Sequence, residues 1–318
     1  MPPAFRAKAV HVVDDRAAAR ATRRQCEIEC PSSRNPDSMA ELAVNHRFLS
    51  PGKRQRTSAA VADLFDMQVR AKRRDRAARL GPELFLHGRA FEDCLERIAL
   101  LDRYFDRALL IGCPDPSWPE RLRPISKQVD VRDPGSLFAR KAQGEAITED
   151  AWMPREAAHD LVLAIGTLDS VNDLPLALRL IQHTLVGGGL FIGALSGGET
   201  LPQLRAAMRA ADAAIGAAAP HVHPRIEPAA LAPLLGDAGF VHPVVDVDRA
   251  KVSYPSLSRL VADLRAMAGT NVLSARPRFI GREARAAALR SFASAGDGER
   301  TTEIFETIHF AAWTAEKS

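Results

Sequence analysis

The chain has 318 residues, of which 46% are hydrophobic and 26% are charged, proportions typical of a globular protein with a buried core. No apolar stretch reaches the roughly 20 residues of a membrane-spanning helix, and the N-terminus lacks a signal-peptide core. We therefore expect a cytoplasmic protein with no transmembrane segment.

The chain carries 43 Lys and Arg against 39 Asp and Glu, but the excess is uneven. Residues 1–80 hold 17 basic and 9 acidic residues, whereas the remainder is mildly acidic. A basic N-terminal region of this kind could contact nucleic acid, an anionic membrane or an acidic partner. It lacks, however, the aromatic residues that alternate with basic ones in nucleic-acid-binding proteins. A solvated basic surface is the simpler interpretation, and we expect no specific nucleic-acid binding.

Composition divides the chain into an arm and one domain. Residues 1–58 are rich in Ala, Arg and Pro with little periodic hydrophobicity, which predicts a disordered basic arm. Residues 59–318 should form one domain, with a helical extension over 59–105 and a core sheet over 106–318. Helical spacing of apolar residues predicts the extension's two helices, Ala59–Leu80 and Phe91–Tyr104.

Strand and helix patterns then alternate along the chain, which predicts an α/β fold with a doubly wound, mostly parallel sheet. The predicted strands are Ala108–Ile111, Gln128–Val131, Ala146–Thr148, Leu161–Ile165, Leu190–Ala194, Val241–Val245 and Glu303–Trp313. The predicted helices between them are Leu174–Leu185, Leu201–Ile215 and Pro228–Leu235.

Ligands of such sheets bind beyond the carboxyl ends of the strands. Glycine, acidic and small residues lie at or just after the ends of the first four predicted strands, where they could contact a nucleotide-type cofactor. Two acids, Asp130 and Asp133, close the second strand, where an acid can accept hydrogen bonds from a ribose. The candidate cofactor-binding residues are Gly112, Cys113, Asp130, Glu149, Asp150, Ile165 and Gly166.

The loop after the first strand, Gly112–Pro116, contains prolines where a cofactor loop usually has glycines. Each proline fixes φ and removes an N–H donor. Each lost charge-assisted hydrogen bond should weaken cofactor binding by about 1.5–3 kcal/mol. We therefore expect cofactor binding to be weakened or lost.

Four stretches resemble known proteins: Phe65-Asp66 with its following basic run, Asp160–Leu178, Gly189–Leu201 and Val245–Pro255. Together they resemble the class I S-adenosylmethionine (SAM)-dependent methyltransferase superfamily. They are most similar to the biotin-synthesis-methyltransferase-like branch that includes the mitochondrial complex I assembly factor reported as an arginine hydroxylase.

This resemblance implies a seven-stranded sheet with an antiparallel last strand (a Rossmann-like methyltransferase fold) and SAM as cofactor. It makes Gly112 the first glycine of the cofactor loop, Asp130 the ribose-binding acid, and Glu149 or Asp150 the acid near the adenine. The chain departs from the family pattern at Leu110, where the family has an acid, at the two loop prolines, Pro114 and Pro116, and at Asp169-Ser170, where the branch has a His-Trp pair.

The function implied is that of a SAM-dependent methyltransferase-like protein, acting on a protein or acyl-carrier-type partner and serving respiratory complex I assembly. The alternative is a non-catalytic assembly or binding protein with a degenerate SAM site. Methyl transfer relies mainly on positioning, so the sequence assigns no catalytic residue. His221-Val-His223 has no evident third ligand, so we expect no metal site.

Overall fold

The computed structural model describes residues 63–277 and 279–316, so the predicted arm over residues 1–58 lies outside it. The helices are α1 (Met67–Leu80), α2 (Phe85–Ala99), α3 (Trp118–Leu122), α4 (Ser136–Lys141), α5 (Leu174–Thr184), α6 (Pro202–Ala214), α7 (Pro228–Asp237), α8 (Leu257–Ala266) and α9 (Arg282–Ser294). The strands are β1 (Phe105–Ile111), β2 (Ser126–Asp133), β3 (Glu145–Ala146), β4 (His159–Ile165), β5 (Leu185–Ser196), β6 (Phe240–Tyr254) and β7 (Thr301–Thr314).

The strands form one seven-stranded sheet in the order β3-β2-β1-β4-β5-β7-β6. The pairs among β1 to β5 are parallel, whereas β7 runs antiparallel to both of its neighbours. The predicted doubly wound sheet with an antiparallel last strand is confirmed. Its parallel strands bring their carboxyl ends to one edge.

The central strands are buried on both faces, which explains why the sequence of β1 contains an unbroken hydrophobic run. Leu109 and Ile111 pack into the core on one face, and Ala108 and Leu110 pack into the core on the other. Strands covered on both faces need this continuous pattern rather than an alternating one.

The first helix begins later than its sequence pattern predicts. The Asp66 carboxylate accepts a hydrogen bond of 2.9 Å from the N–H of Val69 and so caps α1. Gly81, with a positive φ of 86°, ends the helix. These two signals set the start and the end of α1.

Helices α3, α4, α8 and α9 were not among the elements that the sequence predicts. Helices α3 and α4 have only 5 and 6 residues, too few for a helical period to stand out. Helices α8 and α9 pack with α6 into a third apolar cluster beside β6 and β7. Among the described residues, no helix is long and apolar enough to cross a membrane.

Trp118 packs in the core rather than in the cofactor loop. Its ring lies 4.3 Å from that of Phe91 in α2, with only 3° between the ring planes, and its exposed fraction is 2%. The stack joins α2 to the start of α3.

We predict that Trp118→Ala lowers the free energy of unfolding by about 3–5 kcal/mol, because truncating a buried aromatic side chain leaves a cavity. Leu100→Ala is the control, since Leu100 is 85% exposed, and it should change stability by less than about 0.5 kcal/mol. Urea unfolding measures both. Equal effects of the two substitutions would contradict the packing described here.

Candidate functional site

The loop after β1 is held tightly to its neighbours. Gly112 has a φ of +83°, and a Cβ atom there would lie 2.6 Å from Cγ2 of Thr167. Its N–H donates to the carbonyl of Arg132 at 2.8 Å, and the Cys113 N–H donates to Oδ2 of Asp133 at 2.8 Å. Both N–H groups are therefore already engaged within the protein.

The other loop residues do not occupy a cofactor cleft. Pro114 is buried, Pro116 is exposed, and Trp118 turns to Phe91. Burial raises the pKa of the Cys113 thiol above its usual value, which keeps it protonated and unreactive. Cys113 thus acts as a small packed residue rather than a nucleophile.

The structure does not place Asp130 at the cofactor edge. Asp130 is paired in register with Leu109, three residues before the end of β2, and its carboxylate accepts from Arg107 Nε at 2.9 Å. It also bonds Nε2 of His159, the first residue of β4, at 3.0 Å. The prediction failed because β2 continues to Asp133, two residues past its predicted end.

Asp133 takes the position at the end of β2, and Arg74 of α1 covers it. Arg74 donates from Nε to Oδ1 at 2.8 Å and from Nη2 to Oδ2 at 2.6 Å. Gly135 N–H adds a bond of 2.6 Å to Oδ1, alongside the bond from Cys113. With an exposed fraction of 0%, Asp133 has no face open to solvent.

A second ion pair covers Glu149, the acid that follows β3. Arg70, one turn before Arg74 on α1, donates to both carboxylate oxygens of Glu149, at 2.7 and 2.8 Å. Its remaining donors reach the carbonyl of Thr167 at 2.6 Å and Oγ of Ser170 at 3.1 Å. Glu149 has an exposed fraction of 0%, so Arg70 occupies the space that a ligand of Glu149 would need.

The remaining candidates also lie at this edge. Asp150 Oδ2 accepts the N–H groups of Asn172 and Asp173, at 3.0 and 2.9 Å, ahead of α5. Buried Ile165 ends β4, and a Cβ atom on the following Gly166 would lie 2.6 Å from the His87 ring. Burial lowers the pKa of His87 to about 4, so a neutral imidazole covers Gly166.

A cavity of about 100 Å³ lies beside these residues, between the ends of β4 and β5 and helices α2 and α8. Arg70 and Arg74 line it, whereas Asp133 and Glu149 do not, because the arginines stand in front of them. A third cation, Arg225, lines it and pairs with Asp169. Asp169, where the resemblance implies a histidine, is thus part of a buried ion pair in this chain.

The two histidines of His221-Val-His223 bind different partners. His221 Nε2 bonds Asp212 at 2.8 Å, and His223 Nε2 accepts the N–H of Val272 at 2.8 Å. Burial lowers the pKa of His223 to about 4, consistent with a neutral acceptor. Among residues 63–277 and 279–316, no three His, Cys, Asp or Glu side chains cluster as metal ligands.

The residues that the sequence analysis missed at this edge are Arg70, Arg74 and Arg225. The only available signal was the four-residue spacing of Arg70 and Arg74, which puts both on one helix face. A basic run usually marks a solvated face, so its pattern gave no reason to bury them.

No family model matches the chain. Curated relatives do: the mitochondrial arginine-hydroxylase NDUFAF5 of Rattus norvegicus is 31% identical over 275 residues, which cover 81% of this chain and 79% of that protein. The Homo sapiens protein of the same name is 30% identical over 278 residues, covering 82% and 80%. The malonyl-[acyl-carrier protein] O-methyltransferase of Xylella fastidiosa is 32% identical over 164 residues, covering only 50% and 52%.

The chain belongs to the NDUFAF5 family. The predicted resemblance is thereby confirmed, and the chain is a SAM-dependent methyltransferase-like protein. Among solved structures, the YcgJ protein of Bacillus subtilis covers 71% of this chain and 99% of its own, at 11% identity and a TM-score of 0.49, too low to bear on function.

We predict that Arg70→Met lowers the free energy of unfolding by about 3–5 kcal/mol, because it leaves the buried charge of Glu149 uncompensated. The double variant Arg70→Met/Glu149→Met removes both charges and should recover most of that loss. Lys72→Met, on an exposed position of the same helix, should be nearly neutral. Urea unfolding compares the three variants, and equal losses in the single and double variants would show that the two side chains are not coupled.

Proposed function

We propose that this chain acts on an arginine side chain of a protein partner and contributes to the assembly of respiratory complex I. The observation that carries the proposal is its alignment with the arginine-hydroxylase NDUFAF5 proteins over about four-fifths of both chains. The acyl-carrier-type partner has weaker support, since the malonyl-[acyl-carrier protein] methyltransferases align over only about half.

SAM is the cofactor that this class implies, and when bound it supplies an activated methyl group. The arrangement described here does not fit it. The ribose hydroxyls of a nucleoside cofactor need an acid at the end of β2, and Asp133 is saturated by Arg74 and by two backbone N–H groups. Glu149 is likewise sealed by Arg70.

Of the candidate cofactor residues, we retain Gly112, Cys113, Glu149, Asp150, Ile165 and Gly166 and replace Asp130 by Asp133. Cofactor binding at these residues requires α1 to withdraw both arginines.

A second candidate function is a non-catalytic assembly protein with the same partner. Two observations favour it. Glu149 and Asp133 are paired with arginines, so their carboxylates are not free to bind a cofactor, and the prolines of the Gly112–Pro116 loop lack N–H donors. The two candidates share the partner and differ in whether that partner is modified. The cytoplasmic location stays a prediction, since the NDUFAF5 relatives are named as mitochondrial.

We predict that deleting the gene in its host lowers the amount of assembled complex I and that the wild-type gene restores it. Mass spectrometry of complex I arginines should show a modification that disappears in the deletion strain, because the enzyme is its only source. If the wild-type gene restores complex I but the arginine masses are the same with and without the gene, the non-catalytic candidate is favoured. Normal complex I in the deletion strain would contradict both.

A further inference from the structure

A second, larger cavity of about 610 Å³ lies between α6, α8 and α9. Part of its wall is apolar, with Leu204 and Met208 from α6, Leu257 and Val261 from α8, and Leu289 from α9. This volume falls within the range of about 300–1,000 Å³ of small-molecule sites. The cavity can therefore hold a ligand with an apolar part.

Charged residues that line this cavity are all arginines. They are Arg73, Arg225, Arg265, Arg276 and Arg285, and no Asp or Glu is among the described lining residues. Arg276 reaches Asp66 at 3.3 Å, and Arg225 pairs with Asp169. Within the described part of the chain, the side chains of Arg73, Arg265 and Arg285 make no hydrogen bond or ion pair.

The arginines are close enough to affect one another. Burial and the neighbouring charges of Arg76, Arg276 and Arg265 lower the pKa of Arg73 to about 10, against the weaker opposing effect of Asp66. Like charges that line one cavity repel, and a bound anion would relieve that repulsion.

A buried donor without a partner belongs to Arg225, a residue that lines this cavity and the smaller one. Its side chain is only 7% exposed, and its Nε is buried with no hydrogen-bond partner among the described residues. Leaving such a donor unpaired is unfavourable, and a bound ion or water is one way in which groups of this kind are satisfied.

From the apolar part of the wall, the arginine cluster and the unpaired donor of Arg225, we propose that this cavity binds a small anionic amphiphile, a carboxylate or phosphate monoester on an alkyl chain. Arginine forms paired hydrogen bonds with both anions, while the leucines and valine cover the chain. The inference concerns binding alone and holds whether or not the sheet edge binds SAM.

The test is calorimetric titration of the full chain with decanoate, decyl phosphate, inorganic phosphate and a neutral decyl glycoside. We expect saturable binding of at least one alkyl anion, with both inorganic phosphate and the neutral glycoside at least about tenfold weaker, because head and tail each contribute. Comparing the dissociation constants of decanoate and decyl phosphate shows whether the natural ligand carries a carboxylate or a phosphate monoester.

Arg73→Gln/Arg265→Gln should weaken binding of the alkyl anion by about 10- to 100-fold, the loss expected for charge-assisted bonds. Arg290→Gln, an exposed arginine on α9 outside the lining, should leave it unchanged. If the double variant does not fold, we measure instead how binding to the wild-type protein depends on salt. Added salt should weaken the binding of the alkyl anion and leave the binding of the glycoside unchanged. No saturable anion binding, equal binding of the glycoside, or full affinity in the folded double variant would overturn the proposal.

Discussion

Two buried ion pairs between α1 and the sheet edge, Arg70–Glu149 and Arg74–Asp133, decide what this protein can bind. Each joins a side chain with at most 7% exposure to a carboxylate with none. A buried charge that loses its partner is strongly destabilising, so α1 cannot leave the edge without something to replace its arginines. The pairs fix the position of α1 and close the acidic positions that a cofactor of this fold would use.

The closed edge and the arginine-lined cavity are neighbours. The two cavities share lining residues, among them Leu201, His223 and Arg225, so a ligand in the larger one would reach toward the ends of β4 and β5. The two paired acids and the cluster of arginines therefore lie next to each other in this protein.

The sheet could be predicted from the sequence because its signals are local. The apolar run Ala108–Ile111 and the apolar residues within Glu303–Trp313 each follow from burial of their own strand. The partners of Arg70 and Arg74 could not be predicted from the sequence. Glu149 and Asp133 lie 79 and 59 residues away along the chain, and only the fold brings them into contact with the arginines. The Asp130 assignment failed for a related reason, since strand ends depend on pairing with neighbours rather than on composition.

Calorimetric titration of the intact, folded protein with SAM tests the closure of this edge most directly. Because both acids are already paired with buried arginines, we expect no saturable heat as the SAM concentration is raised into the millimolar range. A dissociation constant in the micromolar range, measured with the wild-type protein and no partner present, would contradict it.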